Sequence, residues 1–173
     1  MIPETSSNKK ISIYECINFP NKWEFKMHLM EDVVAADTTI FKKNNYYWMF
    51  ANVSNDHDNI LNDNLNLYFS DNLLSKNWKP HPLNPIISDA RKARPTGNIF
   101  YYKDKIIRPS QNCLKNYGSG IIFNEIKILN DKEYHEQEIK SINTDWDPNL
   151  YGLHTINSLE NFTVIDALRK IRK

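Results

Sequence analysis

Two carboxylates (Glu4 and Asp37), a guanidinium (Arg94), an amide (Gln111) and an imidazole with a carboxylate (His154 and Asp166) stand at matching points of a repeated pattern, with Asn52 and Ser110 beside them. Glycoside hydrolysis needs two facing carboxyl groups, one acting as acid and the other as nucleophile or base, and Glu4 with Asp37 is the best pair available. Their separation cannot be read from the chain. The matching positions of the next repeat carry Arg94 and Gln111. A cation and an amide suit holding a charged sugar better than protonating a leaving group, and the whole set offers donors and acceptors for sugar hydroxyls. The plainer alternative holds for each residue taken singly, because Asp or Arg at a strand start often only satisfies backbone groups or a neighbour.

Other reactive side chains point elsewhere. Glu125 falls on a third strand, where pairing within or between repeats is expected. Asp56, His57 and Asp58 could touch a metal, but they sit in an Asn/Asp-rich loop without convergent ligands, so a solvated turn is expected and no metal or other cofactor is assigned. His81, between Pro80 and Pro82, is expected to pack. Cys16 and Cys113 match no zinc or redox spacing and read as free thiols. No phosphate loop, glycine fingerprint or nucleic-acid motif is found, and four glycines make a backbone cradle for a nucleotide hard to build.

The elements that must position the set repeat in a fixed order. Thr38 to Phe41, Gly97 to Phe100 and His154 to Asn157 begin each repeat; Phe41 to Phe100 is 59 residues and Phe100 to Asn157 is 57. Next come Tyr47 to Asn52, Lys105 to Ser110 and Phe162 to Asp166, then Leu65 to Ser70 and Gly120 to Glu125. A fourth segment carries Trp23, Trp78 and Tyr134. Each is short and either alternating or continuously apolar, as a strand is, and Lys43-Asn44-Asn45 and Tyr102-Lys103-Asp104 read as hairpin turns. Four antiparallel strands repeated in order predict an all-β fold, a β-propeller. The units would be the end of one blade (1–30), full blades at 37–82 and 94–139, a half blade at 152–167 and a basic tail at 168–173: about three blades' worth of one incomplete domain. In such a blade the start of the inner strand lies beside the end of the second. Asp37 then neighbours Asn52, Arg94 neighbours Ser110 and Gln111, and His154 neighbours Asp166. Residues 1–6 match the Arg108 to Gln111 segment, which adds Glu4 to the same rim.

Composition sets the outer limits. The 173 residues suit one domain, and 40% hydrophobic with 25% charged residues can bury a core. A mean hydropathy of -0.62 and the lack of a long apolar run exclude a membrane-spanning helix. A formal net charge of +1 gives no general grip on nucleic acid or anionic lipid. Residues 1–10 lack a signal-peptide pattern, so a cytoplasmic location is expected. Arg169, Lys170, Arg172 and Lys173 read as a frayed, solvated end.

Several motifs together resemble a known family. They are Met1-Ile2-Pro3-Glu4-Thr5, Ile13-Tyr14-Glu15 with Phe19-Pro20, Asp37 to Phe41, and Trp78 to Ile86. Ala93-Arg94-Pro95-Thr96-Gly97, Arg108 to Cys113, Tyr117-Gly118 and His154 to Asn157 complete them. In this order they resemble the propeller domain at the N-terminus of plant glucosamine inositolphosphorylceramide transferases, a domain that in bacteria accompanies formyltransferase-like modules. It is similar to the five-bladed propellers of arabinanase- and fructosidase-type glycoside hydrolases. The resemblance implies that this chain is the rear portion of a five-bladed ring, with Met1 an internal start. The hydrolase relatives' first inner-strand acidic residue would then be absent, as would any transferase module. The expected role is a carbohydrate-recognising fragment accessory to a glycan- or glycolipid-modifying enzyme. Its ligand would be a sugar or sugar phosphate, and its partner a missing propeller portion or a transferase module. The alternatives are a hydrolase- or transferase-like enzyme using Asp37 and Glu4, and a non-catalytic interaction platform. An open ring would also expose apolar flanks and drive association.

Overall fold

Runs of aromatic and β-branched residues broken by Asn/Asp turns fold here almost entirely as strands; the computed structural model describes residues 1–4, 6–54, 61–159 and 161–171. The Asp56-His57-Asp58 loop therefore lies outside the described residues. After a short 3-10 turn (Ser6–Asn8), β1 (Lys10–Asn18) and β2 (Lys22–Glu31) form a two-stranded antiparallel sheet. A second sheet runs in the order β3 (Ala35–Lys43), β4 (Tyr46–Val53), β5 (Asn64–Ser70) and β6 (Lys79–Pro80), with β7 (Ile87–Ser88) also on β5. The third repeats that order. In it β8 (Arg94–Pro95) and β9 (Phe100–Tyr102) both pair with β10 (Lys105–Gln111), followed by β11 (Gly120–Leu129) and β12 (Tyr134–Asn143). Last come β13 (Leu150–Gly152), β14 (Ile156–Leu159), β15 (Phe162–Ile165) and β16 (Leu168–Arg169), in which β14 pairs β15 and β13 pairs β16. All these pairings are antiparallel, and none of the described sheets closes into a ring. The hairpin turns fall where the sequence places them: Lys43 pairs with Tyr46 and Tyr102 with Lys105. Asn44, Lys103 and Asp104 have positive φ, as tight two-residue turns demand.

The sheets stack in chain order, which explains the continuous apolar run of β4. Trp48 and Phe50 point one way, into a core shared with Ala93, Ile99, Ile106, Ile126 and Leu129 of the third sheet. Met49, Ala51 and Val53 point the other way, onto Ile11 and Leu29 of the first. Side chains alternate along a strand, so a sheet covered on both faces needs apolar residues at every position. Ile121 then meets Leu153 and Ile156 of the last hairpin. The outer sheets lack such cover: Phe25 of β2 and Leu159, Phe162 and Val164 of the last hairpin are exposed.

His81 fastens the second and third sheets. Its Nδ1 accepts the Leu83 amide at 3.2 Å, which leaves the proton on Nε2 to be donated to the Asn130 carbonyl at 3.1 Å. Burial pushes its pKa down. Below about pH 6.5 the unfolded chain binds a proton that the folded chain refuses. Stability is therefore full above that value and falls as pH drops through the lower folded value. A urea midpoint followed from pH 8 to pH 5 should decline, and His81→Gln should flatten the decline.

One expectation changes. The basic tail is not frayed from residue 168, because β16 pairs with β13 and the Lys170 amide donates to the Asn149 carbonyl at 2.8 Å. Glu125 pairs within its own sheet, with Lys105 at 3.1 Å and Lys127 at 2.7 Å. Cys16 and Cys113 are free thiols.

Candidate functional site

The first strand of each repeat loses its regularity at the same stretch. The β3–β4 register slips between Ala36 and Thr39, β8 and β9 are parted at 96–99, and β13 and β14 at 153–155. The parted segments bond to one another across the sheets. Thr39 Oγ1 donates to the Gly97 carbonyl at 3.4 Å, the Ile156 amide to the Thr96 carbonyl at 2.9 Å, and Thr96 Oγ1 to the His154 carbonyl. Bulges re-aim side chains, and these turn polar groups from three repeats towards one another.

Asp37 is the centre. It holds φ at 49°, in the left-handed region that Asp tolerates better than most residues. Its amide donates to Glu4 Oε2 at 2.9 Å, while its Oδ2 accepts Arg94 Nε at 2.5 Å and Gln111 Nε2 at 3.3 Å. Arg94 Nη1 donates to the Leu61 carbonyl at 2.9 Å and to Asn62 Oδ1 at 3.1 Å. The guanidinium lies 4.6 Å from the centre of the Tyr117 ring, whose centroid is 4.6 Å from that of His154. Asp166 Oδ1 accepts the His154 and Thr155 amides at 2.9 and 2.6 Å. Gly118 permits the Tyr117 approach: its φ is 65°, and a Cβ there would stand 2.3 Å from His154 Cδ2.

Burial pushes the Asp37 carboxyl above its ordinary range; Arg94 pulls the other way and Glu4 adds repulsion. Burial also raises the Tyr117 phenol and the nearby Cys113 thiol. Glu4 spends both oxygens on backbone amides, of Ser6 and Asp37. Chemically, this is a polar patch of three carboxyl groups, one guanidinium and one imidazole, with a half-exposed aromatic edge. Among the described residues no group of His, Cys, Asp and Glu could hold a metal, and no helix is long and apolar enough to cross a membrane.

Glu4, Asp37, Arg94, Gln111, His154 and Asp166 thus form one contiguous set. Asn52 and Ser110 do not join it. Both are 0% exposed, Asn52 bonding the Asn64 carbonyl at 3.0 Å and Ser110 accepting Asn124 Nδ2 at 3.0 Å. Their neighbouring register with the first strand of the repeat is as expected, but their side chains bond within the sheet interior. The repeat pattern does not mark Tyr117 and Asn62 as site residues. The loops that carry them differ between repeats, so periodicity says nothing of them; the Tyr117-Gly118 dipeptide was the one available signal.

The chain matches the family described as glucosamine inositolphosphorylceramide transferase 1, N-terminal, over residues 1–150. A protein named glucosamine inositolphosphorylceramide transferase 1, from Oryza sativa subsp. japonica, is 28% identical over 138 residues, 79% of this chain and 18% of the relative. Its namesake in Oryza sativa subsp. indica has the same identity and coverage. The chain therefore spans under a fifth of the length of these curated relatives. No solved structure matches it. With 150 of 173 residues covered by one family, the chain belongs to the family of the N-terminal domain of glucosamine inositolphosphorylceramide transferase 1.

Proposed function

We propose that the chain is a carbohydrate-recognising domain whose sheets are blades of a β-propeller, accessory to a glycan- or glycolipid-modifying enzyme. The cluster around Asp37 and Arg94 binds a sugar carrying a phosphate or carboxylate. One observation carries this reading: Asp37, Arg94 and His154, from three successive repeats, meet in a single patch, Asp37 and Arg94 as an ion pair and His154 through the Tyr117 ring. The sheet stacking and the bonds between neighbouring inner strands support the radial arrangement. A ring of five would bring further sheets against the apolar outer faces. Arg94 is the anion contact. Its Nε and Nη1 are spent, Nη2 donates to no described residue, and the side chain keeps 14% of its surface exposed. The rice relatives are named for glucosamine and inositolphosphorylceramide, a sugar and a phosphoryl-bearing lipid, which fits a site pairing hydroxyl-binding groups with a cation.

Binding is preferred to catalysis because both Glu4 oxygens are taken by amides and Asp37 is paired with Arg94 through Oδ2, so the Glu4 and Asp37 pair lacks the second free carboxyl that hydrolysis needs. The raised Asp37 carboxyl is the observation that favours the enzyme reading, since burial shifts it in the direction that suits a general acid. Titration with glucose 6-phosphate, glucuronate and glucose, followed by calorimetry and amide shifts, tests both. The charged sugars should bind at least about tenfold more tightly than glucose, a difference of about 1.4 kcal/mol, and Arg94→Ala should remove that preference. Equal binding of all three, or none, overturns the reading. Turnover of an aryl glycoside that is lost in Asp37→Asn would establish the enzyme instead.

A further inference from the structure

The third sheet contains a charge that the site does not touch. Arg108, on β10, is 1% exposed and lies between the second and third sheets. Its Nε and Nη2 form a fork on Glu136 of β12, both bonds at 2.7 Å, and Tyr134 donates its hydroxyl to the same carboxylate at 2.5 Å. The Glu136 side chain is equally buried, at 1%. Nη2 has a second acceptor, the main-chain carbonyl of Lys92, at 2.8 Å. Two residues on stands Arg94. Arg94 itself is held by a strand of only two residues, Arg94–Pro95, paired with Gln111 and Ser110. A buried ion pair is poorly explained by stability alone, because well-packed apolar residues often do as well. What apolar residues cannot do is hold a carbonyl at a fixed point.

We propose that Arg108, locked by Glu136 and Tyr134, is a positioning residue: it clamps the Lys92 carbonyl and so sets where the Arg94 guanidinium stands on the rim. The chain of contacts is short and rigid. Glu136 fixes the guanidinium plane by its two-point contact, the guanidinium fixes Lys92, and the Lys92 to Arg94 segment carries the cation onto Asp37. Ala93, between them, is fully buried in the core that the two sheets share, so the segment has little other freedom.

The test uses the whole chain and two readouts, one free of any ligand. In the ligand-free protein the Arg94 Nε–H resonance reports its bond to Asp37. The paired replacement Arg108→Met with Glu136→Leu removes both charges and keeps volume. It should shift that resonance and speed its hydrogen exchange at least about tenfold while the circular dichroism spectrum is retained. Arg108→Lys, which can face Glu136 but lacks the fork, should give a smaller change of the same kind, and it stands in if the paired variant fails to fold. An Arg94 Nε–H resonance that stays put in a folded variant overturns the proposal. The second readout rests on the sugar-binding reading. Binding of glucose 6-phosphate should weaken about tenfold in the paired variant, with no further loss when Arg94→Ala is already present. A shifted Arg94 resonance with unchanged glucose 6-phosphate binding would keep the clamp and overturn the placing of the anion at Arg94.

Discussion

Glu136→Ala is expected to cost about 3–5 kcal/mol of folding stability, read as a lower urea midpoint with an unchanged slope. Domains of this size are stable by about 5–15 kcal/mol, so the variant would be marginal. The size of the effect comes from what remains behind. The Arg108 guanidinium would stay buried between two sheets with no counter-charge, and the Tyr134 hydroxyl would lose its acceptor. The paired apolar replacement removes both charges and should cost far less. That contrast separates a charge stranded by truncation from a charge that stabilises in its own right. Glu136→Gln keeps the volume and an acceptor and should fall between them. Acid gives a second check. Burial works against ionisation of Glu136, but Arg108 outweighs it and holds the carboxyl below its ordinary range. Below about pH 4.3 the unfolded chain binds a proton that the folded carboxylate refuses, so stability rises with pH through this window. The contribution is complete above that value and lost as pH falls through the lower folded one. Glu136→Gln should lack this component of acid sensitivity.

What the sequence made legible followed from local rules. The strand character of β3 to β5 and β10 to β12, the hairpins at Asn44 and Lys103 and the recurrence of like units needed only strand-length apolar runs, turn chemistry and repetition. The register of Arg94 opposite Gln111 followed from strand order. Long-range events hid the rest. Arg108 and Glu136 sit in strands whose polar letters read as solvent-facing, and their burial depends on a partner 28 residues away and on the neighbouring sheet. Asn52 and Ser110 sit at the right register, but a strand's period does not say which face of a twice-covered sheet meets solvent. The breaks in the inner strands arise from bonds between units, such as Ile156 to Thr96, that no single segment encodes. The pairing of β16 has the same origin, since it forms only against β13.

Gly97→Ala should be the most disruptive small change outside the core. Gly97 holds φ at 121°, where a Cβ is strained, and a Cβ there would stand 1.9 Å from the Ile156 carbonyl oxygen and 2.9 Å from its carbon. Those atoms are backbone, so no side chain can swing aside; the last hairpin must retreat as a body. Three bonds go with it: the Ile156 amide on Thr96, the Asn98 amide on Asn157 Oδ1, and Thr96 Oγ1 on the His154 carbonyl. At roughly 0.5–1.5 kcal/mol each, with about 1–2 kcal/mol of backbone strain, the expected cost is about 2.5–6.5 kcal/mol. The loss should be uneven. Hydrogen exchange should accelerate at Ile156 and at the Leu153 amide, which bonds Gly118, while β4 and β5 stay protected. His154 rides on the displaced segment, so its ring should part from Tyr117 in the same variant. An alanine at 97 that leaves stability within about 0.5 kcal/mol and the Ile156 amide protected would mean that the inner strands do not approach as described, and with them would go the convergence of Asp37, Arg94 and His154.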